Sequence, residues 1–355
     1  MDLPVTRLSC LVFVIGVPCT VAGDSAAAPY DAGAAFLARL FHLSESDVRR
    51  LDRGTVVSRS LDSTDGREVA TVGMVRIAVP PVFYVRQLQN IVNFKRGEAV
   101  LQIGTFGDPP TLDDVGQLTL ESQDLRRLRR CRIGNCAVQL PAEALERFQE
   151  IDWTMPDAAR QGNDVMRRTL VEYVGRYREA VASGLVTYAD GATSVDGNVE
   201  FQDLVNADEQ VLPHFPGLRQ HLLAPSSSGQ PNVSELIYWS KEKIASNAVL
   251  SVTHLATWRS PGPAPIHYVA ASKQIYASHY FYASLGLTLL IGDPSGVTPG
   301  TYVAYVNRSR VDAFDGIFGG VIRRVVRAKV RSTLSDYLTE IKVRLEQRFQ
   351  NAPHP

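Results

Sequence analysis

The sequence predicts an α+β fold: an antiparallel, curved sheet wrapped around a long C-terminal helix, with an additional helical insertion. Three observations predict it. From Glu235 onward, strand-like runs alternate with short turns. The segment "FGGVIRRVVRAKVRSTLSDYLTEIKVRLEQRF" then runs about 30 residues without proline, carrying one apolar stripe. Between the first strands and the sheet region, residues 141–184 carry helical rather than strand periodicity.

The chain of 355 residues, 45% hydrophobic and 21% charged, is long enough to bury a substantial core. Its 37 basic and 37 acidic residues cancel, which removes the long-range field of a general nucleic-acid binder. Residues 1–23 read as an export signal: Arg7 precedes the apolar run "LSCLVFVIGVPCTVAG", with Val21 and Gly23 at the small-residue positions before a cut. An uncleaved anchor is the competing reading, although the run is shorter than the roughly 20 residues that span a bilayer. Processing at Cys19 is disfavoured because Pro18 stands where a small residue is needed.

With the leader removed, two cysteines remain, Cys131 and Cys136, in "RRCRIGNCAVQLP". Four residues with Gly134-Asn135 as a turn pair separate them, so a disulfide across a tight turn is expected in an oxidising, periplasmic or extracellular compartment. The spacing suits neither a redox pair nor a zinc site.

Residues 24–63 form an N-terminal helical segment: one helix, a break at "LSESD" with Ser44 or Ser46 as N-cap, and a second helix ending at Gly54. The main domain spans 64–350. "VATVGMVRIAV" is a strand stopped by Pro80-Pro81, "PVFYVRQLQNIVNF" is helical, and "EAVLQIGTF" returns to strand. In the insertion, "PAEALERFQEIDW" begins on a first-turn proline, and a second helix runs from Asn163 as cap to Gly184. "ELIYWSKE" and "AVLSVTHLATW" open a meander that "TYVAYVNRSRV" closes.

Within the meander, "KQIYASHYFYASLGLTLLI" (273–291) alternates as one strand roughly three times the usual length. Gly286 reads as a bulge or bend in it. The odd row, from Ile275 to Ile291, is apolar apart from His279 and is expected to face the C-terminal helix. In that helix Val326, Val330, Leu334, Tyr337, Ile341, Leu345 and Phe349 step at three or four residues over roughly 45 Å. A straight helix and a curved sheet cannot touch everywhere, so a cavity is expected between them.

This pattern resembles the helix-grip (SRPBCC) superfamily of START domains and Bet v 1-like proteins. The likeness rests on "VATVGMVRIAVPPVFYVRQLQNIVNF" at the front, and on the meander closed by "GGVIRRVVRAKVRSTLSDYLTEIKVRLEQR" at the back. It covers roughly Glu68 to Phe349, interrupted by the helical insertion. It implies a sheet gripping a long helix over an apolar cavity, and carries no catalytic motif.

Candidate chemistry is sparse. No G-x-S-x-G, phosphate-loop or dinucleotide pattern occurs, and no metal-ligand spacing joins His254, His267 and His279. Pairing across the last turn with residue numbers summing to about 592 places His279 near Asp312 or Ala313, where a carboxylate would orient the imidazole. Trp239, His254, Tyr276, His279 and Tyr280 are the candidate ligand-lining residues. Arg308, Arg310 and Asp312 in "NRSRVDAFD" are either an internal ion-pair cluster or an anchor for a carboxylate or anionic headgroup. Arg323, Arg324, Arg327, Lys329 and Arg331 are either a solvated helix face or a contact with anionic membrane.

The functional expectation is an exported binding protein for an apolar or amphipathic, lipid-like molecule, acting without cofactor, metal or nucleic acid. The alternatives are a cofactor-free cyclase or isomerase using His279 and Asp312, and a ligand-free envelope interaction module.

Overall fold

Two helices open the described chain, α1 (Ala32–Phe41) and α2 (Glu45–Asp52). Ser44 caps α2, accepting from Asp47 N–H while the Asp47 carboxylate accepts from Ser44 N–H. Strands β1 (Val57–Ser60) and β2 (Glu68–Ile77) follow, then α3 (Pro81–Gln89), α4 (Ile91–Lys95) and β3 (Val100–Phe106). The helical insertion holds α5 (Ser122–Leu128), α6 (Ala142–Gln149) and α7 (Ala158–Glu179), the small ribbon β4 (Thr187–Tyr188) and β5 (Val195–Asp196), and α8 (Gly197–Asn206) and α9 (Pro216–Leu223). The meander β6 (Val233–Ile244), β7 (Asn247–Arg259), β8 (Ile266–Ala277), β9 (Phe281–Gly292) and β10 (Thr301–Val311) leads to α10 (Gly319–Gln350). This computed structural model describes residues 32–63, 65–180, 184–224, 232–259, 266–292, 300–312 and 319–352, with the side chains of 32, 216 and 319–328 outside the description. The expected leader, residues 1–23, lies outside the described residues.

The main sheet has eight strands in the order β1-β2-β10-β9-β8-β7-β6-β3, antiparallel throughout. It is curved, and α10 packs on one face across β1 and β2. The expected fold class is therefore present: a first strand, two small helices, a meander and a closing helix. β1 extends the sheet beyond β2, so the N-terminal segment belongs to the same core as the strands.

Two apolar layers flank the sheet. On the α10 side, Leu334, Leu338, Ile341 and Leu345 meet Val75, Ile77, Leu255, Leu290 and Val303, together with Tyr84, Leu88, Ile91 and Phe94 of α3 and α4. On the other side, Leu285, Leu287, Leu289 and Ile291 of β9 meet Leu37 of α1, Phe201 and Leu204 of α8, and the aromatic side chains of α7. That layer extends beyond the expected 141–184, from α5 to α9, and it is why the sheet is buried on both faces.

Four expectations need correction. The stretch 273–291 is not one strand: Ser278, His279 and Tyr280 turn the chain between β8 and β9, with Tyr280 in the left-handed region at φ 68°. The odd row of β9 faces the helical insertion, not α10. Gly286 is not a bulge; it pairs continuously with Ser272 and Asn307, and a Cβ there would lie 2.9 Å from Tyr305 Oη. Asn163, expected as a cap, lies inside α7, where its side chain accepts from Leu120 N–H at 2.6 Å.

Candidate ligand site

The α10 side of the sheet is apolar only where helices cover it. α10 seats on β2 at Gly73, where a Cβ would stand 2.5 Å from Leu338 Cδ1 and 2.9 Å from Leu334 Cγ; glycine is what allows that approach. Its C-terminal half clasps α3 and α4: Arg344 donates to the Phe94 carbonyl at 2.6 Å, Arg348 to Gln87 Oε1 at 3.0 Å, and Phe349 meets Phe83 edge-on.

By alternation and register, β6 to β10 present Tyr238, Ser240, Glu242, Ser251, Thr253, Ser272, Gln274, Ser284, Tyr305 and Asn307 on this same face. Ser251, Ser272, Gln274, Ser284, Tyr305 and Asn307 are only half-buried. Short hydrogen bonds tie many of them together. Ser240 donates to Glu242 at 2.6 Å and lies 3.3 Å from Ser251; Ser284 and Ser309 share a 2.8 Å bond, and Asn307 donates to Ser284 at 3.3 Å. Gln274 Nε2 and, at the β2 end, Thr71 Oγ1 are buried with no hydrogen-bond partner among the described residues. A buried donor left unpaired costs about 1–3 kcal/mol.

One charged pair closes this surface towards α4. Lys95 Nζ lies 2.8 Å from Glu242 Oε1 and 5.6 Å from the centroid of the Tyr238 ring. Burial works against the charge on Lys95, but Glu242 outweighs it and raises the lysine well above its ordinary value. For Glu242 the same two influences, burial upward and Lys95 downward, leave the carboxyl lowered. Burial raises the Tyr305 and Tyr337 phenols, so both remain hydroxyl donors at neutral pH. The face thus offers hydroxyls, amides and one fixed ion pair beside the apolar stripe of α10.

The residues singled out from the sequence lie elsewhere. Trp239, His254, Tyr276, Arg308 and Arg310 all point into the layer of α5 to α9, and each is engaged there. Trp239 Nε1 donates to the Asp114 carbonyl at 2.9 Å, and Tyr276 Oη to the Gln139 carbonyl at 3.1 Å. Arg308, 2% exposed, meets Glu68 at 2.6 Å, Gln210 at 3.2 Å and Asp208 at 3.4 Å; Arg310 meets Asp65 and Asp203. Of the two readings of these arginines, the geometry is that of the internal ion-pair cluster. Lys329 and Arg331 are exposed on α10, while the side chains of Arg323, Arg324 and Arg327 lie outside the described ones.

Leu290 pairs with Val303, one residue from the expected register, and a shift between Arg310 and Val311 then sets Asp312 opposite Tyr280, to whose carbonyl its N–H donates at 3.0 Å. The imidazole itself takes a different carboxylate, Asp124 of α5, at 3.2 Å, with both groups buried. Tyr280 caps the turn, its hydroxyl accepting from Asn247 at 2.8 Å. Nearby, burial and then the charge of Asp312 raise the Asp190 carboxyl to about 6, against the pull of backbone hydrogen bonds and of His279. Nothing in the sequence pairs Asp124 with His279, because 155 residues separate them.

A second group missed at sequence level sits under α9. His221 and His254 approach Glu235 at 2.6 and 3.2 Å, and His254 Nδ1 bonds the Tyr177 hydroxyl at 2.9 Å. Burial pushes the Glu235 carboxyl up, but the two histidines outweigh it and hold it at about 2. Beside them Lys273 donates to the Leu222 carbonyl at 3.1 Å and lies 4.6 Å from the Phe201 ring centroid, and burial lowers it to about 8. Between that value and the 10.5 of the unfolded chain, only the unfolded state holds the proton, so stability rises with pH in this window. Relative to a Lys273→Met variant, the parent should therefore gain up to about 3 kcal/mol between pH 8 and 10.5, measured by urea unfolding. A flat difference across that range would place the ammonium in solvent.

Cys131 and Cys136 are bridged, with Cα atoms 4.5 Å apart. The turn centre is Ile133-Gly134 rather than the expected Gly134-Asn135, since Arg132 and Asn135 pair across it and Gly134 takes φ 79°. Among the described residues no group of three or more histidine, cysteine or carboxylate side chains could hold a metal, and no helix is long and apolar enough to cross a membrane. No family model, curated protein or solved structure matches the chain.

Proposed function

We propose that this chain is an exported binding protein that holds an amphipathic small molecule between α10 and the hydroxyl-bearing face of β6 to β10, without a cofactor. One observation carries the reading. α10 is seated on β1 and β2 at Gly73, whereas the neighbouring strands on the same face keep half-buried hydroxyl and amide groups, among them Gln274 with its unpartnered amide nitrogen. A mostly apolar wall with a few convergent polar groups is the usual design of a small-molecule site. The helix supplies the apolar side through Leu334, Leu338 and Ile341, and the strands supply the polar side. The chemistry differs from that expected at first: the polar groups are serines, Gln274 and Tyr305 instead of His279 and the arginine cluster, so the fitting ligand carries its own hydrogen-bonding groups beside an apolar body. The Cys131–Cys136 bridge supports an oxidising compartment, and with it export.

Native mass spectrometry of mildly purified protein tests this. A retained small molecule, released on denaturation and carrying both an apolar body and hydroxyl, carbonyl or carboxylate groups, is the expected result. A single species at the mass of the bare chain, in material purified from the exported fraction, would contradict it.

A further inference from the structure

The most cationic short stretch of the described surface is not on α10. Arg126, Arg127, Arg129, Arg130 and Arg132 fall within seven residues, from the end of α5 into the disulfide-closed turn. Among the described residues only Arg127 has a carboxylate partner, Asp124 at 3.0 Å, and it also donates to Asn247 at 3.0 Å. Arg132 turns one nitrogen back onto the Cys131 carbonyl at 2.7 Å. The guanidinium groups of Arg126, Arg129 and Arg130 have no hydrogen-bond or ion-pair partner among the described residues, and all three side chains are exposed. One or two cations would serve the C-terminal end of so short a helix. Five exceed that need.

The patch has shape as well as charge. Gln123, Arg126, Arg127, Arg130 and Asn135 line an open concavity of about 460 Å³ against the disulfide. The turn beside it is held rigidly: the Cys131–Cys136 bridge closes it, Gly134 N–H donates to the Ala189 carbonyl at 2.8 Å, and Cys136 N–H to the Asp190 carbonyl at 2.9 Å. At its apex Ile133 is 50% exposed, flanked by Arg132 and close in sequence to Arg129 and Arg130. An exposed apolar turn residue in the same cationic stretch of chain matches a bilayer interface, where the aliphatic side chain enters the acyl boundary and guanidinium groups fork onto headgroup phosphates. A soluble anion would use the arginines but leave Ile133 without a role.

We propose that this arginine-rich stretch, from the end of α5 through the disulfide-closed turn, docks the protein on an anionic lipid surface. The proposal is independent of the ligand site under α10, because its readout is vesicle binding. It also assigns membrane contact to a different surface from the cationic first half of α10.

The test is co-sedimentation with vesicles of phosphatidylglycerol in phosphatidylcholine, against phosphatidylcholine alone, at about 0.1 M salt, where the Debye length is about 10 Å. The parent should bind only the anionic vesicles and release as salt is raised. With about 1 kcal/mol per basic residue near the surface, the triple variant Arg126→Ser, Arg130→Ser, Arg132→Ser should bind roughly a hundredfold more weakly. Ile133→Ser should weaken binding without changing its salt dependence, and a triple change of Arg323, Arg324 and Arg327 to Ser should bind like the parent. Thiol titration and circular dichroism establish that each variant keeps its bridge and fold; the Ile133 and α10 variants still decide the matter if the arginine variant does not. Equal binding to neutral vesicles, no vesicle binding, loss confined to the α10 variant, or displacement by millimolar inorganic phosphate would each overturn the proposal, the last by assigning the arginines to a soluble anion.

Discussion

Replacing Arg308 with methionine should lower the unfolding free energy by about 3–5 kcal/mol, the largest effect expected of any single substitution in this chain. The guanidinium is 2% exposed and sits between Glu68 and Asp208, side chains that are themselves almost wholly buried. Methionine fills much of the volume but strips the cation from both carboxylates. Asp208 cannot move away to water, because it also accepts the backbone N–H groups of Val211 and Leu212 at 2.7 and 2.8 Å. Chemical denaturation of the two proteins at neutral pH measures the difference. A loss under about 1 kcal/mol would show that water reaches the cluster and that Arg308 is available to a ligand after all.

Gly73→Val is the second large effect, expected to destabilise by about 3 kcal/mol although valine is the better strand former. The added carbons must enter space already held by Leu338 and Leu334, so either α10 lifts from β2 or the strand shifts within a fully paired sheet. Hydrogen exchange separates this from a general loss of stability: amides of α10 around residues 334–345 should exchange faster relative to those of β9 and β10. An unchanged exchange pattern with a stability change within about 0.5 kcal/mol would mean that α10 is not seated at Gly73.

How far the sequence led differs between elements. β10 was legible to its boundaries because the β-branched and aromatic residues from Thr301 to Val306 follow Pro299-Gly300 and stand in one unbroken run to Val311. The C-terminal helix was legible from its spacing, although Leu338, 1% exposed, was overlooked beside Tyr337. The hairpin at His279 was not. It contains no glycine, proline or asparagine, and Tyr280 adopts a left-handed conformation that its sequence does not advertise. The strong leucine row of β9 was assigned to α10 for want of a competing partner, whereas the helical insertion supplies a larger one. With that assignment reversed, Gln274, Ser284 and their neighbours lie on the same face of the sheet as α10. His279, Arg308 and Trp239 were noticed because polar or large side chains interrupt apolar strands. Such interruptions arise as readily from buried contacts with a distant helix, and Asp124 and Asp208 are invisible as partners until the chain is folded.

The most direct test of ligand binding under α10 is the affinity of Gln274→Leu, beside His279→Leu and the parent, for a panel of fluorescent fatty acids and sterols. Leucine removes a buried unpartnered amide nitrogen, so Gln274→Leu should be as stable as the parent or about 1 kcal/mol more stable. It should nevertheless bind about tenfold more weakly, because one hydrogen bond to the ligand is lost. His279→Leu should bind like the parent wherever it folds, since its imidazole faces Asp124 on the other side of the sheet. Parent-like affinity in Gln274→Leu, selective loss in His279→Leu, or no binding of any probe by the parent would contradict the account.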